Sequence, residues 1–336
     1  MAIQFAFQEL FTIQSILVKP IATVGLTLLL FGFYVPLFSQ SLHFLFTRRN
    51  AINRRLHLAW ITSLFFVATA ASFINAASHV WDSVVAFRAL QTQDMIPLVA
   101  YSQGNKEKTG VIAATYVGYV VTNCIADSVL IHRLCTIWGS SRLVVAFPVL
   151  ASVVANAVGL VAAIMKTIAS RDTSDPALYA LYLKAVSYQI GYYATNAAVN
   201  GMITLMIAGR IWCVARDTRH AYLNNLAGNT IDPWLKSIIT MILESGSMYP
   251  MLLIVHAVLT RNASSIGIPI DLTPAVILVA GIAPTSIIAW SSFNLCTQEN
   301  RYARNSTPQF ELSSVEAVKT EVSCITIQSS NDLTNV

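Results

Sequence analysis

The sequence predicts an all-α membrane protein: a bundle of seven transmembrane helices with the N-terminus outside and the C-terminus in the cytosol. Three observations lead there. Charged residues make up 11% of the 336-residue chain, whereas a soluble domain carries about 25%. Mean hydropathy is +0.60, and a 55% hydrophobic content excludes disorder over most of the length. Apolar runs of about 20 residues or more, enough to cross a bilayer as a helix, recur seven times along the chain.

The first run covers Ile21–Phe46 and is interrupted only near its end, by Ser39, Gln40, Ser41 and His43. The others cover His57–His79, Gly110–Trp138, Leu143–Met165, Leu183–Ala208, Trp234–Thr260 and Leu272–Leu295. A helix satisfies its own backbone hydrogen bonds in lipid. Barrel strands would be runs of about 10 residues with strict alternation, and these runs are too long and too evenly apolar for that. The chain therefore divides into a short extracellular tail (residues 1–20), a seven-helix domain (21–295) and a disordered cytosolic tail (296–336). Met1–Lys19 lacks the basic start of a secretory signal and reads as an uncleaved outside tail. The region after Cys296 is polar, rich in serine and threonine, and has no apolar face to bury.

Basic residues set the orientation. Three connections on one side hold ten, among them Arg48, Arg49, Arg54 and Arg55 packed between the first two spans; the other side holds eight over longer segments. Short loops beside the first helix weigh most, so the arginine side is cytosolic. This places the sequon Asn262-Ala263-Ser264 outside, where Asn262 is a glycosylation candidate. A second sequon at Asn305 falls in the cytosolic tail, with Pro308 after it. None of the five cysteines lies in an outside loop on this map, which argues against an extracellular disulfide. Cys135, Cys213 and Cys296 sit at cytosolic span ends, where an unmodified apolar role and palmitoylation are the two readings. The net charge of +5 lies largely beside the membrane, where anionic lipid explains it without nucleic acid. There is no nucleotide-binding glycine loop and no internal repeat.

Polar residues inside the spans are costly, about 2.5–3.5 kcal/mol for a mid-span charge, and therefore informative. Tyr116, Tyr119, Asn123 and Asp127 follow one another at spacings of 3, 4 and 4, which lines them up on one face of the third span. Gln189, Tyr192, Asn196 and Asn200 repeat the pattern on the fifth. Glu244 sits on the sixth between Thr240 and Ser247. Such stripes turn toward the bundle interior. The expected cluster is Tyr119, Asn123, Asp127, Asn196 and Glu244, with the two acids at similar depth in the inner half. Arg133 and Arg210, at the cytosolic ends of spans three and five, are switch candidates. Arg133 would pair with Glu244 as a lock, against the readings of a static polar glue and of an ion or proton path. Pro250 and Pro284 lie inside spans six and seven, where each removes a backbone hydrogen bond. His79 and His256, near the outer ends of spans two and six, could meet a ligand, but no further metal ligands stand at helical spacing.

The segment Asp127-Ser-Val-Leu-Ile-His-Arg133, with Cys135 and Trp138, resembles the end of the third helix in a group of uncharacterised seven-transmembrane proteins of mushroom-forming fungi. Glu244-Ser245-Gly246 with Tyr249, and Gly209-Arg210-Ile211-Trp212 with Arg216, resemble that group's sixth- and fifth-helix signatures. The resemblance covers about Ile21 to Asn294. It implies a layout similar to G-protein-coupled receptors, without the Asn-Pro-x-x-Tyr of the rhodopsin-like class, and the group has no settled activity to carry over. A retinal protein is excluded because no lysine stands between Arg261 and Arg301. A zinc hydrolase of the ceramidase type would need histidine in the seventh span, which has none. The expectation is a non-enzymatic, receptor-like protein without cofactor, metal or nucleic acid. Its partners would be the bilayer, a small-molecule or peptide ligand and a cytosolic signalling protein. Its membrane would be the plasma membrane. A small transporter or channel and a structural membrane protein are the alternatives.

Overall fold

The computed structural model describes residues 14–47, 54–94, 96–103, 105–139, 142–172, 175–223, 233–262 and 270–305. Among these, seven helices exceed 25 residues: α1 (Lys19–Thr47), α2 (Arg54–Thr92), α3 (Lys106–Trp138), α4 (Arg142–Ala169), α5 (Pro176–Leu223), α6 (Pro233–Arg261) and α7 (Thr273–Asn305). A π-helical turn, Gln14–Val18, leads into α1, and a short helix, Ile96–Ser102, connects α2 to α3. Among the described residues, five segments are long and apolar enough to cross a membrane: Ile16–Thr47, Arg54–Thr92, Lys106–Trp138, Val144–Ala169 and Pro176–Val214. The protein is thus an almost entirely helical integral membrane protein.

The chain falls into two units, Met1–Trp290 and Ser291–Val336. In the second, the described part is the helical stretch that ends at Asn305. The start of the segment expected to be disordered is therefore helical. The rest of that tail, Ser306–Val336, lies outside the described residues, as does most of the expected outer tail, and with it any bearing on their order. Several helices also outrun their apolar cores. The α2 helix continues 13 residues past His79, and α5 begins seven residues before Leu183. Hydropathy marks where lipid ends, not where the helix does, because a helix gains nothing by stopping at the headgroups.

Local chemistry explains several ends. The Asn105 side-chain oxygen accepts the backbone N–H groups of Glu107 (2.9 Å) and Lys108 (3.3 Å) and so caps α3. Gly139 ends the same helix at φ +59°, its N–H donating to the Cys135 carbonyl at 3.0 Å. Asp175 accepts from the Ala177 N–H at 2.9 Å at the start of α5. Hydroxyls inside the helices mostly donate back one turn, as Thr122 does to the Gly118 carbonyl at 2.8 Å. That satisfies them without water.

Within the first unit, α1 packs on α2, α2 on α3, α3 on α4 and α5, α4 on α5, and α5 on α6. The first part of α7, Val276–Ile282, lies in a core shared with Tyr34, Ala68, Tyr119, Tyr192 and Leu253. The burial pattern is inverted relative to a soluble protein. Leu29, Phe33, Phe66, Phe147, Leu150 and Leu205 face outward, while tyrosines, asparagines, serines, threonines and alanines fill the interior. Lipid tails are as apolar as leucine, so only close packing and hydrogen bonds distinguish the inside of such a bundle.

Glycine is required where two helices come closest. A Cβ on Gly246 of α6 would collide with both Cγ2 and Oγ1 of Thr204 on α5, and one on Gly159 of α4 would meet the Tyr192 ring at 2.7 Å. Gly246→Ala should therefore destabilise the protein by about 1–3 kcal/mol through overpacking. Thr204→Ala on the same background should recover most of that loss, because it removes both colliding atoms. Thermal unfolding of the two single variants and the double variant checks this, and strict additivity would contradict the contact.

Candidate functional site

The polar stripes of α3 and α5 do face each other. Asp127 is 2% exposed. One of its carboxylate oxygens accepts from the Ser152 hydroxyl (2.6 Å) and the Asn156 amide (2.9 Å), and the other accepts from the Asn200 amide (3.2 Å). Asn200 also donates to the Asn196 side-chain oxygen at 2.8 Å, and Asn196 donates to the Tyr249 hydroxyl at 3.1 Å. The Tyr249 hydroxyl in turn donates to Asn123, whose amide donates to the Tyr192 hydroxyl at 2.6 Å. Tyr192 closes the loop by donating to Asn156 at 3.4 Å, and Tyr119 meets Tyr249 hydroxyl to hydroxyl at 3.4 Å. Every one of these side chains is buried.

Four of the five residues expected in the cluster are thus present: Tyr119, Asn123, Asp127 and Asn196. Glu244 is not. It is exposed, because rotation of α6 gives the interior to Gly246 and Tyr249 instead. The expected lock fails with it. Among the described residues Arg133 makes no ion pair with Glu244, and Arg210 lies with its guanidinium 5.4 Å from the centre of the Trp138 ring. Arg133 is half-buried, and its neighbour His132 packs edge-on against Trp60 and His57. Cys135 and Cys213 are exposed free thiols, and the side chain of Cys296 lies outside the described residues. Asn262 is exposed in the turn directly after α6, its amide folded back onto the Val258 carbonyl at 3.1 Å.

Sequence reasoning missed the α4 contribution. Ser152 and Asn156 supply two of the three donors to Asp127. Their spacing of four was the available signal, hidden in a run otherwise read as apolar. Asp127 has no cationic partner among the described residues, so neutral donors alone stand in for water around it.

A second feature lies at the end of the bundle where α1, α3, α5 and α7 begin. A cavity of about 730 Å³ opens there, within the range of small-molecule sites. His79 and His256 both line it. His79 Nε2 lies 2.7 Å from an Asp271 carboxylate oxygen, while the His256 ring sits 4.7 Å from that of Tyr193. Burial pushes the Asp271 carboxyl up. The His79 imidazole at 2.7 Å opposes that, as do the hydroxyl and N–H of Thr273, and they hold it well below the usual carboxylate range. Asp271 therefore stays ionised just before α7, where a negative charge also complements the helix N-terminus. Its own N–H donates to the Thr23 hydroxyl at 3.1 Å, tying α7 to α1.

Also in the cavity wall is Lys166, near the end of α4. It donates to the Tyr116 hydroxyl (2.5 Å) and to the Gln189 side-chain oxygen (2.7 Å). Its ammonium lies 4.2 Å from the centre of the Tyr116 ring. Gln189 donates onward to Tyr193, which packs edge-on against Tyr119 at 5.8 Å. Side-chain contacts thus run without a break from the cavity to Asp127.

Replacing Asp127 with Ala should remove the acceptor shared by three buried hydrogen bonds and leave the Ser152 hydroxyl, which donates only there, without a partner, at a cost of about 1–3 kcal/mol. The thermal midpoint of the purified protein should fall by many degrees. Glu244→Gln, on an exposed surface, should stay within about 0.5 kcal/mol of the parent. Equal effects of the two substitutions would contradict the placement of both side chains. Comparison with protein-family models, characterised proteins and solved structures finds no match for this chain, so the site's own geometry carries the argument for function.

Proposed function

We propose that this protein is a seven-helix membrane receptor, with its N-terminus outside, its C-terminus in the cytosol and no catalytic role. It takes a small ligand in the cavity at the outer end and passes occupancy inward to a cytosolic signalling protein. One observation carries the reading. The cavity wall and the buried Asp127 network belong to one connected set of side chains on α3, α4, α5 and α6. A ligand that displaces Lys166 or Gln189 changes the hydrogen bonds available to Tyr193, and so the packing of Tyr119 and Tyr249. A binding event biases the bundle only to the extent that it favours one such arrangement over another. The layout, the arginine-rich first connection and the resemblance to the fungal seven-transmembrane group support the same reading, with the plasma membrane as its place.

The chain of phenols, amides and a carboxyl favours a second reading, a small transporter that moves a proton or ion along it. A structural protein, in which the stripes only glue helices together, would need neither the cavity nor a lysine in its wall.

Two measurements test the proposal. A reporter fused after Val336 should be cytosolic, and Asn262 should accept a glycan if it stands clear of the membrane surface. A C-terminal reporter found outside would reverse the orientation and move the cavity to the cytosolic face. A ligand screen on cells expressing the chain should yield second-messenger responses without membrane current. Current or uptake in their place would favour the transporter, and in that case Asp127→Asn should abolish transport in a protein that still folds.

A further inference from the structure

We propose that the outer cavity binds the carboxylate of a small amphiphile, seated on Lys166 with its apolar body against the aromatic and aliphatic wall. This rests on the cavity being the ligand site of the proposed receptor, and it names the ligand's chemistry.

The lysine comes first. An ammonium has three donors, and Lys166 uses two, on the Tyr116 hydroxyl and the Gln189 oxygen. Both acceptors are neutral. Among the described residues no carboxylate lies within ion-pair distance of it. The two acids of the cavity are otherwise engaged: Asp271 is paired with His79 at 2.7 Å, and Asp82 accepts from the Tyr101 hydroxyl at 2.7 Å. A cation at the end of a membrane helix, oriented by an amide and two phenol rings, retains a free donor, and the Asp271 carboxylate offsets its charge only through space, from beyond ion-pair distance.

The second observation is independent. Asn75 of α2 is 7% exposed and lines the same cavity, yet its side-chain oxygen has no hydrogen-bond partner. A buried amide oxygen left unpaired costs about 1–3 kcal/mol. A ligand hydroxyl, amide or bound water would satisfy it. Cation and orphan acceptor in one wall describe a ligand with an anionic end and a donor.

Charge and shape narrow the class. Lys19 and Lys108 also line the cavity, against Asp82 and Asp271. The excess is slight, which matches a monoanion better than a phosphate dianion that two aspartates would repel. Among the described residues no arginine lines the wall to grip a phosphate in bidentate fashion. Leu183, Val186 and Leu259, with the rings of Tyr116 and Tyr182, supply apolar surface for the remainder.

The test uses the full chain in nanodiscs of neutral lipid, followed by thermal unfolding and by titration calorimetry. The probes are hexanoate and 3-phenylpropanoate, with hexanol and hexylamine of matched size. The carboxylates should raise the midpoint and the alcohol and amine should not. Lys166→Gln should weaken carboxylate binding at least tenfold, and Lys166→Arg should retain part of it. If Lys166→Gln fails to fold, the probe series on the parent decides alone. Equal stabilisation by hexanol, or preference for hexylamine, would overturn the proposal. So would undiminished binding by Lys166→Gln. Stabilisation by phosphatidylglycerol nanodiscs that depends on Lys166, with no effect of the carboxylates, would also overturn it and assign the site to a phosphate headgroup. Carboxylate binding in nanodiscs without any second-messenger response in cells would instead sink the receptor reading and leave this one standing.

Discussion

The structure depends on keeping one carboxyl group, that of Asp127, inside a membrane. An acid near mid-bilayer must be solvated by the protein or it opposes insertion. Here three neutral donors from two other helices do it: Ser152 and Asn156 on α4 and Asn200 on α5. The requirement sets the rotation of α3, α4 and α5 together. Once Asp127 is satisfied, Asn196 and Asn123 are brought to Tyr249, and Tyr192 to Asn156. Nothing apolar could impose that register, since lipid offers no hydrophobic reward for helix association.

The close approaches follow from it. For Tyr192 to reach both Asn123 and Asn156, its ring must lie over α4, and only a residue without a side chain, Gly159, leaves room. For Tyr249 to reach Asn196, α6 must lie against α5, and Gly246 meets Thr204 there. The polar network and the small residues are two aspects of one packing solution. That the network closes around Asp127 with neutral donors alone also argues for a bundle with a defined resting arrangement, since each partner left over would cost as much as a lost hydrogen bond.

The cavity at the end of the bundle is built differently. Its charged groups come from helix ends and connections, where water and headgroups tolerate them, and they are only partly cancelled. Asp271 is held ionised by His79 and Thr273 and fastens the start of α7. Lys166 is held by Tyr116 and Gln189 without a counter-ion among the described residues. A buried network with its bonds made and a cavity wall with a lysine short of an ion-pair partner and an unpaired amide oxygen are joined through Gln189, Tyr193 and Tyr119.

The helical membrane architecture was legible in the sequence, because composition and the length of apolar runs act on each segment separately and need no partner. The stripes on α3 and α5 were legible for the same reason: spacings of 3 and 4 place Tyr119, Asn123 and Asp127, or Asn196 and Asn200, on one face whatever surrounds them. Helix rotation was not, and it decided the rest. Glu244 has the spacing of an interior residue, yet α6 turns Gly246 and Tyr249 inward and leaves it exposed. Ser152 and Asn156 gave too faint a stripe to read, since two small polar residues scarcely change the hydropathy of a span. Lys166 and Asp271 fall just outside apolar runs, and the sequence shows how far each stands from such a run, not which helix ends converge. Periodicity is a property of one helix and is written along the chain. Pairing is a property of two helices, and only the tertiary fold, by choosing their rotation and depth, determines which polar groups meet.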